Sequence, residues 1–365
     1  MGVVRELIEL GLAEESFPSG PMKAGRPSLT VSPDPRVVVI GVDVAVDAVT
    51  VALIGFTGRF VRKVRHDFDQ VPTPRDVVDI VVDFVKETRN SRQTRYRIAG
   101  IGVAIPGQVT ADDGVVREAA HLGWRNSPLQ AQLERLTGLP TALGNAAKLA
   151  LVAESAFGAG VDVNDLVYII GGASGIGGGV VVGGKLIMGS HGYAGEIGHM
   201  LVRNGGVACP CGSRGCLETE LVLADLLRAA GLQPSESAQL LSAVLSRLDS
   251  NPELREMIRR MNHYLAIAIK GVVNLLNPQL VLLDGFLTTL FAVANPLASI
   301  DSEGRPIMVS GESVQVSTAT VGADGTILGA AELIFERVIT EPQGFFASVE
   351  KVRPRNVRSD RSTTP

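Results

Sequence analysis

The strongest constraint on the fold is a pattern of short apolar runs and glycine turns that occurs twice. The first copy, residues 36–61, reads RVVVIGVDVAVDAVTVALIGFTGRFV, and the second, residues 165–189, reads DLVYIIGGASGIGGGVVVGGKLIMG. Runs rich in β-branched residues that glycines interrupt predict β-hairpins. Because helical and strand patterns alternate after each copy, the sequence predicts an α/β protein with two similar lobes.

The remaining segments complete this prediction. Apolar spacing and turn residues predict helices within 74–90, 127–140, 145–157, 217–230, 235–248 and 252–275, a strand over 279–285, and a closing helix after Gly325. Ser127 is the expected cap of the second helix. The predicted domains are an N-terminal unit over 1–35, a first lobe over 36–160, a second lobe over 161–340 and a disordered basic tail over 341–365.

Composition excludes several classes of protein. Apolar residues make up 45% and charged residues 20% of the 365-residue chain, which is typical of a globular protein with a large core. The net charge of −4 gives no overall attraction to nucleic acid. The most apolar run, YLAIAIKGVVNLLNPQLVLL, is interrupted by Lys270 and Pro278 and predicts a buried helix and strand. With no signal peptide in MGVVRELIEL, we expect a cytoplasmic protein without membrane contact.

All three cysteines of the chain lie within eight residues, in the run CPCGSRGC. An odd number argues against a disulfide framework, and the spacing lacks the C-x-x-C pair of redox sites. Cys209, Cys211 and Cys216, with His199 ten residues before the first of them, offer the four ligands of a closed tetrahedral zinc site. The sequence therefore predicts a structural Zn²⁺ ion. Three reduced thiols beside an unrelated histidine are the alternative.

Several motifs resemble, in order, those of the ROK family of repressors, open reading frames and sugar kinases. They are GVDVAVDAVTVALIGFTGR, GIGVAIPGQV, HLGWRNSPL, LPTALGNAAKLALVAE, GGASGIGGGVVVGGKLIMGSHGYAGEIGHM and CPCGSRGC, and the resemblance covers about residues 36–335. It implies a two-lobed, actin-like ATPase and ribonuclease-H-like fold that binds a sugar between its lobes. It also implies the zinc site described above, and assembly into a homodimer or homotetramer.

The same resemblance implies a set of sugar-binding residues. Asn145, Glu196, His199 and Glu218 would face sugar hydroxyls, with one His199 nitrogen on zinc and the other turned to the sugar. Carboxylates and amides suit this task because each makes two directional hydrogen bonds with neighbouring hydroxyls. Taken alone, Glu196 could equally be a carboxylate at a helix start.

The family contains both kinases and transcription regulators, and one residue separates them here. In the kinase members that this chain resembles, the aspartate of an N-D motif takes the proton from the sugar hydroxyl. This chain has Asn145-Ala146 at the matching positions. Alanine cannot accept a proton, and losing a general base typically costs about 10²–10⁴-fold in rate. No other carboxylate precedes Glu154 in this segment. The sequence therefore predicts a protein that is not an enzyme.

The expected nucleotide site is altered as well. The first hairpin of the kinase members that this chain resembles has the motif D-x-G-G-T, in which glycines let backbone amides approach phosphates. This chain has side chains in place of both glycines over 43–47, and Asp47 would repel a triphosphate. The late glycine turn reads DGF at 284–286, and only the turn at 175–179 keeps its glycines. Those glycines could serve a tight hairpin or a phosphate cradle.

The start of the chain resembles the end of a winged helix-turn-helix of the repressor branch. VVRELIELGLAEES would be the rear of the recognition helix, and Arg26, between Gly25 and Pro27, would lie on the wing and reach a minor groove. The alternative is an ordinary helix and loop packed on the core. DNA is an expected partner only if the native gene product contains the earlier helices of such a module.

Three functions are therefore possible. The expected one is a sugar-responsive transcription regulator, or its sensor body, that binds a sugar or sugar derivative between the lobes. The alternatives are an ATP-dependent, glucokinase-like sugar kinase with an unusual base and a sugar-binding protein of the same family that does not bind DNA.

Overall fold

The computed structural model describes residues 2–16, 29–91, 96–110, 113–294 and 314–343. Its strands are β1 (Ala13–Ser16), β2 (Thr30–Pro33), β3 (Val37–Val44), β4 (Ala48–Gly55), β5 (Phe60–Asp67), β6 (Arg97–Ile105), β7 (Gln108–Thr110), β8 (Val115–Ala119), β9 (Trp124–Ser127), β10 (Thr141–Asn145), β11 (Leu166–Gly172), β12 (Gly175–Val182), β13 (Lys185–Leu186), β14 (Leu280–Gly285) and β15 (Gln315–Thr318). Its α-helices are α1 (Gly2–Glu9), α2 (Pro74–Arg89), α3 (Leu129–Thr137), α4 (Ala146–Phe157), α5 (Leu217–Glu220), α6 (Leu223–Ala229), α7 (Leu240–Arg247), α8 (Pro252–Leu276), α9 (Leu287–Val293) and α10 (Gly325–Thr340).

Two five-stranded sheets share one topology. Their orders are β10-β6-β3-β4-β5 and β13-β12-β11-β14-β15. In each sheet, three consecutive strands form an antiparallel meander. A fourth strand pairs parallel with the first meander strand, and a fifth strand pairs parallel with the fourth. The two sequence copies begin these meanders, so the predicted α/β fold with two similar lobes is confirmed. The first copy contributes a third strand, β5, beyond the expected hairpin.

The last helix returns to the first sheet. One face of α10, which includes Ile327, Ile334 and Phe335, is buried against apolar residues of β3, β4 and β6. The helix also packs against α4. The sequence placed this helix in a second lobe over 161–340, because its apolar spacing identifies a buried face but not the sheet that covers it. The domain boundaries themselves stay predictions.

Two predicted helix starts had different outcomes. Helix α2 begins at Pro74 as expected, after Thr73, which forms a reciprocal capping box with Asp76. Ser127, however, is not a cap, because α3 begins at Leu129 and no side chain caps it. Ser127 is instead the buried last residue of β9, where it pairs with β8 in a three-stranded sheet with β7.

The N-terminal unit consists of α1 followed by an antiparallel ribbon of β1 and β2. It rests on the first sheet, since Leu7 and Leu10 pack against its core and the Arg97 guanidinium donates a hydrogen bond to the carbonyl of Leu10. Arg26 and most of the predicted tail lie outside the described residues. Among the described residues, we find no helix with the length and apolar character that a bilayer span requires.

Candidate functional site

A cleft of about 430 Å³ lies between the two sheets. The β3–β4 turn and the start of α4 line it on one side, and the β11–β12 hairpin lines it on the other. All four predicted sugar-binding residues line this cleft: Asn145, Glu196, His199 and Glu218. The structure therefore brings together residues that are up to 73 positions apart in the sequence.

The four predicted zinc ligands converge beside the cleft. Their ligand atoms all lie within 4.8 Å of one another. The Cys211 and Cys216 sulfurs are 3.6 Å apart, and the Cys209 sulfur is 3.5 Å from Nδ1 of His199. A tetrahedron with Zn–S bonds of about 2.3 Å has edges of about 3.8 Å. The cluster is therefore close to the size and donor set that a zinc ion requires.

Local backbone features create this cluster. Isolated bridges pair Leu201 with Cys216 and Ala208 with Arg214, which folds the loop back on itself. Gly215 has φ +83°, and a Cβ there would lie 1.8 Å from the carbonyl oxygen of Arg203, so only glycine fits this turn. Cys216 immediately precedes α5, which carries Glu218.

The three thiols differ in their electrostatic environment. Burial raises the pKa of Cys209, and the adjacent Glu218 carboxylate raises it further. Burial also raises the pKa of Cys216. A hydrogen bond from the Ser213 backbone lowers the pKa of the exposed Cys211 to about 7. Deprotonation of Cys209 and Cys216 is therefore unfavourable without a nearby positive charge. A bound cation would stabilise their thiolate forms.

Glu218 and His199 connect this cluster to the cleft. The Glu218 side chain is only 8% exposed, and its Oε1 lies 2.9 Å from the Cys209 sulfur and 3.5 Å from Nδ1 of His199. Because Nδ1 of His199 faces the cluster, Nε2 is the nitrogen left for a second partner. Glu196 precedes a 3₁₀ turn over Ile197–His199 and makes no capping hydrogen bond with its side chain, which argues against its role as a helix-start carboxylate.

Asn145 has a structural task in addition to its position in the cleft. Its Oδ1 accepts hydrogen bonds from the backbone amides of Ala147 and Lys148, capping α4, and its Nδ2 donates to the carbonyl of Gly107. One amide hydrogen remains for a ligand. The next residue, Ala146, lines the cleft with a methyl group.

The opposite part of the cleft contains carboxylates that already have partners or are partly desolvated. Asp47 pairs with Arg65 at 3.1 Å. Asp284, which is not among the residues that line the cleft, accepts hydrogen bonds from the Tyr168 hydroxyl at 2.5 Å and from the Gly285 amide at 2.6 Å. Burial raises the pKa of Asp43 to about 6, and the nearby charge of Arg65 opposes this effect.

The glycines at 175–179 serve close packing. A Cβ at Gly177 would lie 2.7 Å from the Cβ of Ala147, and one at Gly179 would lie 2.8 Å from Cδ2 of Leu151. These glycines let β12 approach α4 closely. Of the two interpretations left open by the sequence, this geometry favours the tight hairpin over a phosphate cradle.

Comparison with known proteins identifies the family. The family model described as "ROK family" matches residues 39–337. The chain belongs to the ROK family. Its two sheets and central cleft are accordingly the actin-like fold of this family.

The relatives of this ROK protein include both enzymes and regulators. A glucokinase of Halalkalibacterium halodurans is 29% identical over 81% of this chain and 94% of its own. A xylose repressor of Caldicellulosiruptor bescii is 24% identical over 93% of this chain and 88% of its own. A solved ROK family transcriptional regulator, a homologue of the E. coli MLC protein, superposes with a TM-score of 0.76 at 24% identity, covering 96% of this chain and 90% of that one.

Sequence reasoning missed a buried lysine behind the site and a histidine that lines it. Lys148 on α4 is only 3% exposed and donates a hydrogen bond to the carbonyl of Gly192, in the loop that leads to Glu196. Burial lowers the pKa of Lys148, while Glu196 raises it. His121 also lines the cleft. No sequence signal identifies either residue, because a lysine on a helix is normally exposed and a lone histidine has many roles.

Proposed function

We propose that this ROK protein is the sensor body of a sugar-responsive transcription regulator and has no kinase activity. A sugar or sugar derivative binds in the cleft, where Asn145, Glu196, His199 and Glu218 hydrogen-bond its hydroxyls. The observation that carries this proposal is the methyl group of Ala146 at the start of α4, where phosphoryl transfer needs a carboxylate.

The next carboxylate along α4 does not replace the missing base. Glu154 is 1% exposed, and both of its oxygens accept hydrogen bonds from within the protein. Oε1 accepts from the amides of Thr320 and Val321, and Oε2 accepts from the amide of Ala159. A carboxylate held in this way has no access to a sugar hydroxyl in the cleft.

Similarity that extends to the N-terminal unit supports the regulator. The Caldicellulosiruptor bescii xylose repressor aligns with 93% of this chain, whereas another xylose repressor and the glucokinase align with 82% and 81%. Helix α1 and the β1–β2 ribbon, which precede the residues matched by the family model, have the order expected at the end of a winged helix-turn-helix. We propose that this unit contacts DNA, with Arg26 in the segment that joins the two strands.

Sugar binding acts on the regulator through the angle between the lobes. Asn145 comes from the first sheet, whereas Glu196, His199 and Glu218 follow the second meander. A sugar that contacts both sides binds more tightly to the closed cleft and shifts the population toward it. In a homodimer or homotetramer, closure changes the spacing of the N-terminal units and hence their affinity for DNA.

The proposed metal is a structural zinc ion held by His199, Cys209, Cys211 and Cys216. It stabilises the loop and the start of α5, and so fixes Glu218 at the cleft. The four residues would fill all four positions of a zinc tetrahedron, as the ligands of structural zinc sites do.

Thermal-shift screening with D-xylose, D-glucose and N-acetyl-D-glucosamine tests sugar binding. The proposal expects at least one of these sugars to raise the melting temperature, and expects the same sugar to change binding to DNA fragments from sugar-uptake operons. If no sugar, free or phosphorylated, stabilises the protein, the proposal is wrong. Sugar binding without any DNA binding by the complete gene product would instead favour a sugar-binding protein that is not a regulator.

A sugar kinase is the second candidate, and two observations favour it. The glucokinase match covers 94% of that enzyme, and Asp43 is a cleft carboxylate whose pKa, raised to about 6 by burial, suits a general base. Calorimetric titration with Mg²⁺ and the non-hydrolysable analogue AMPPNP separates the candidates. A kinase binds the analogue tightly, whereas the altered phosphate side of the sensor leaves no measurable binding.

A further inference from the structure

His121 is a second polar group facing Glu218 across the cleft. It lies in a 3₁₀ turn over Ala120–Leu122, between β8 and β9 of the small sheet that packs with the first lobe. Its side chain is exposed in the cleft and makes no hydrogen bond within the described part of the chain. An exposed imidazole without a partner is available for a ligand.

The His121 and Glu218 side chains lie close to each other, on either side of Gly175. A Cβ built on Gly175 would lie 3.4 Å from Nε2 of His121 and 2.8 Å from Oε2 of Glu218. The two side-chain atoms are therefore no more than 6.2 Å apart (3.4 Å plus 2.8 Å), which is close to the span of two consecutive hydrogen bonds, and no Gly175 side chain lies between them. The Gly175 φ of +93° further disfavours any other residue.

The two groups have complementary chemistry. The Glu218 carboxylate only accepts hydrogen bonds, whereas a neutral imidazole has both a donor and an acceptor nitrogen. A sugar hydroxyl that lies beside Gly175, between the two groups, would donate to Glu218 and accept from His121. This pairing suits an uncharged monosaccharide hydroxyl and disfavours a phosphate group, which would lie against the carboxylate.

We propose that His121 is the first-lobe contact that binds a monosaccharide hydroxyl against Glu218 and thereby draws the cleft closed. This inference rests on the proposed function, since it needs a sugar in the cleft. The only tryptophan of the chain, Trp124, lies three residues after His121, is 5% exposed and donates a hydrogen bond to the carbonyl of Pro72. A movement of the His121 turn on ligand binding therefore reaches Trp124, whose fluorescence reports it.

The test is titration of the full chain with D-xylose and D-glucose, monitored by calorimetry and by Trp124 fluorescence. His121→Ala should weaken sugar binding about tenfold, the size of one lost hydrogen bond, and remove the fluorescence response. His121→Asn, which keeps a donor and an acceptor, should restore part of the affinity. His66→Ala, an exposed histidine on β5 outside the cleft, is the matched control and should behave as wild type.

The outcomes separate the inference from the proposed function. If the wild type binds a sugar and His121→Ala binds it with equal affinity and an equal fluorescence change, the inference is overturned and the proposed function stands. If the wild type binds neither sugar nor any relative of them, the proposed function fails and this assignment fails with it. Because His121 has no partner to lose, the melting temperature of His121→Ala without sugar should match that of the wild type.

Discussion

The two ends of the cleft differ in the polar groups that they offer to a ligand. At one end, Glu196, His199 and Glu218 line the cleft beside a cluster of potential metal ligands. At the other end, Ala146 has no polar atom, the Asp47 carboxylate is paired with Arg65, and Asp43 is desolvated by burial. We propose that the first end binds a sugar and that the second, where a methyl group stands in place of the expected base, does not support phosphoryl transfer.

This difference teaches that binding and catalysis on one scaffold can be separated by a few side chains. Sugar recognition depends on hydrogen bonds, which the first end still offers. Phosphoryl transfer depends on positioning and on charge stabilisation at the phosphates, together with a base at the hydroxyl. We therefore expect substitutions at the two ends to have separate effects.

The largest effect should come from the metal cluster. Cys211→Ser should release the metal and lower the melting temperature by about 10 °C or more, because metal binding contributes directly to folding free energy. It should also weaken sugar binding, since the loop carries both Glu196 and Glu218. Elemental analysis, calorimetry of unfolding and sugar titration measure these changes. Arg214→Ala, an exposed position in the same turn but outside the ligand set, is the control, and full metal content and stability in Cys211→Ser would contradict the proposed site.

The next effect should be on sugar affinity alone. Glu218→Gln keeps the shape of the side chain but removes its charge, and hydrogen bonds to charged groups are worth about 1.5–3 kcal/mol. We expect affinity for the sugar to fall about 10- to 100-fold while metal content stays at one ion per chain. Glu253→Gln, at the start of α8 and outside the cleft, is the control. An unchanged affinity would remove Glu218 from the sugar site.

A smaller effect is expected at the other end, in the pH dependence of stability. The pKa of Asp43 is raised in the folded protein from 3.8 to about 6, so its protonated form favours folding. The contribution of Asp43 to the free energy of unfolding is fully present below about pH 4 and is lost as the pH rises to about 6. Relative to wild type, Asp43→Asn should therefore gain on the order of 1–2 kcal/mol between pH 4 and pH 7.

Denaturant unfolding at several pH values measures this gain. Burial raises the pKa of Glu332 on α10 to about 7, so this group produces its own loss of stability over a higher pH range. Glu332→Gln is therefore a useful second variant, because its gain should continue above pH 6. Parallel pH curves for wild type and Asp43→Asn would mean that Asp43 is already ionised below pH 5.

The smallest effect should follow from restoring the base. Ala146→Asp places a carboxylate next to Asn145, but the altered 43–47 turn and the paired Asp284 still provide no site for a triphosphate. We expect ADP release to remain within about tenfold of the background, although a general base is worth about 10²–10⁴ in an intact enzyme. A large gain in turnover would show that only the base is missing.

Local signals allowed much of this structure to be predicted. The two strand–glycine patterns predicted the hairpin that begins each sheet and the presence of two similar lobes, and Pro74 and Asn145 marked helix starts because capping and helix entry depend on neighbouring residues. The spacing of the cysteines and His199 predicted a cluster that the fold does bring together. These features depend on interactions over short stretches of chain.

Other features depend on contacts between distant segments and have no local signature. The return of α10 to the first sheet is decided by which apolar faces remain uncovered. Ser127 was predicted as a cap, but strand pairing with β8 determines its conformation. Burial of Lys148 and the position of His121 in the cleft follow from how the two lobes meet.

The central claim is that the cleft binds a sugar without phosphorylating it. The most direct test measures ADP release from Mg²⁺–ATP by the wild-type protein, in the presence of a saturating concentration of a sugar that calorimetry has first shown to bind. The account predicts binding with no turnover above the rate without sugar. Turnover at the rates of ordinary kinases, about 1–100 s⁻¹, would contradict it.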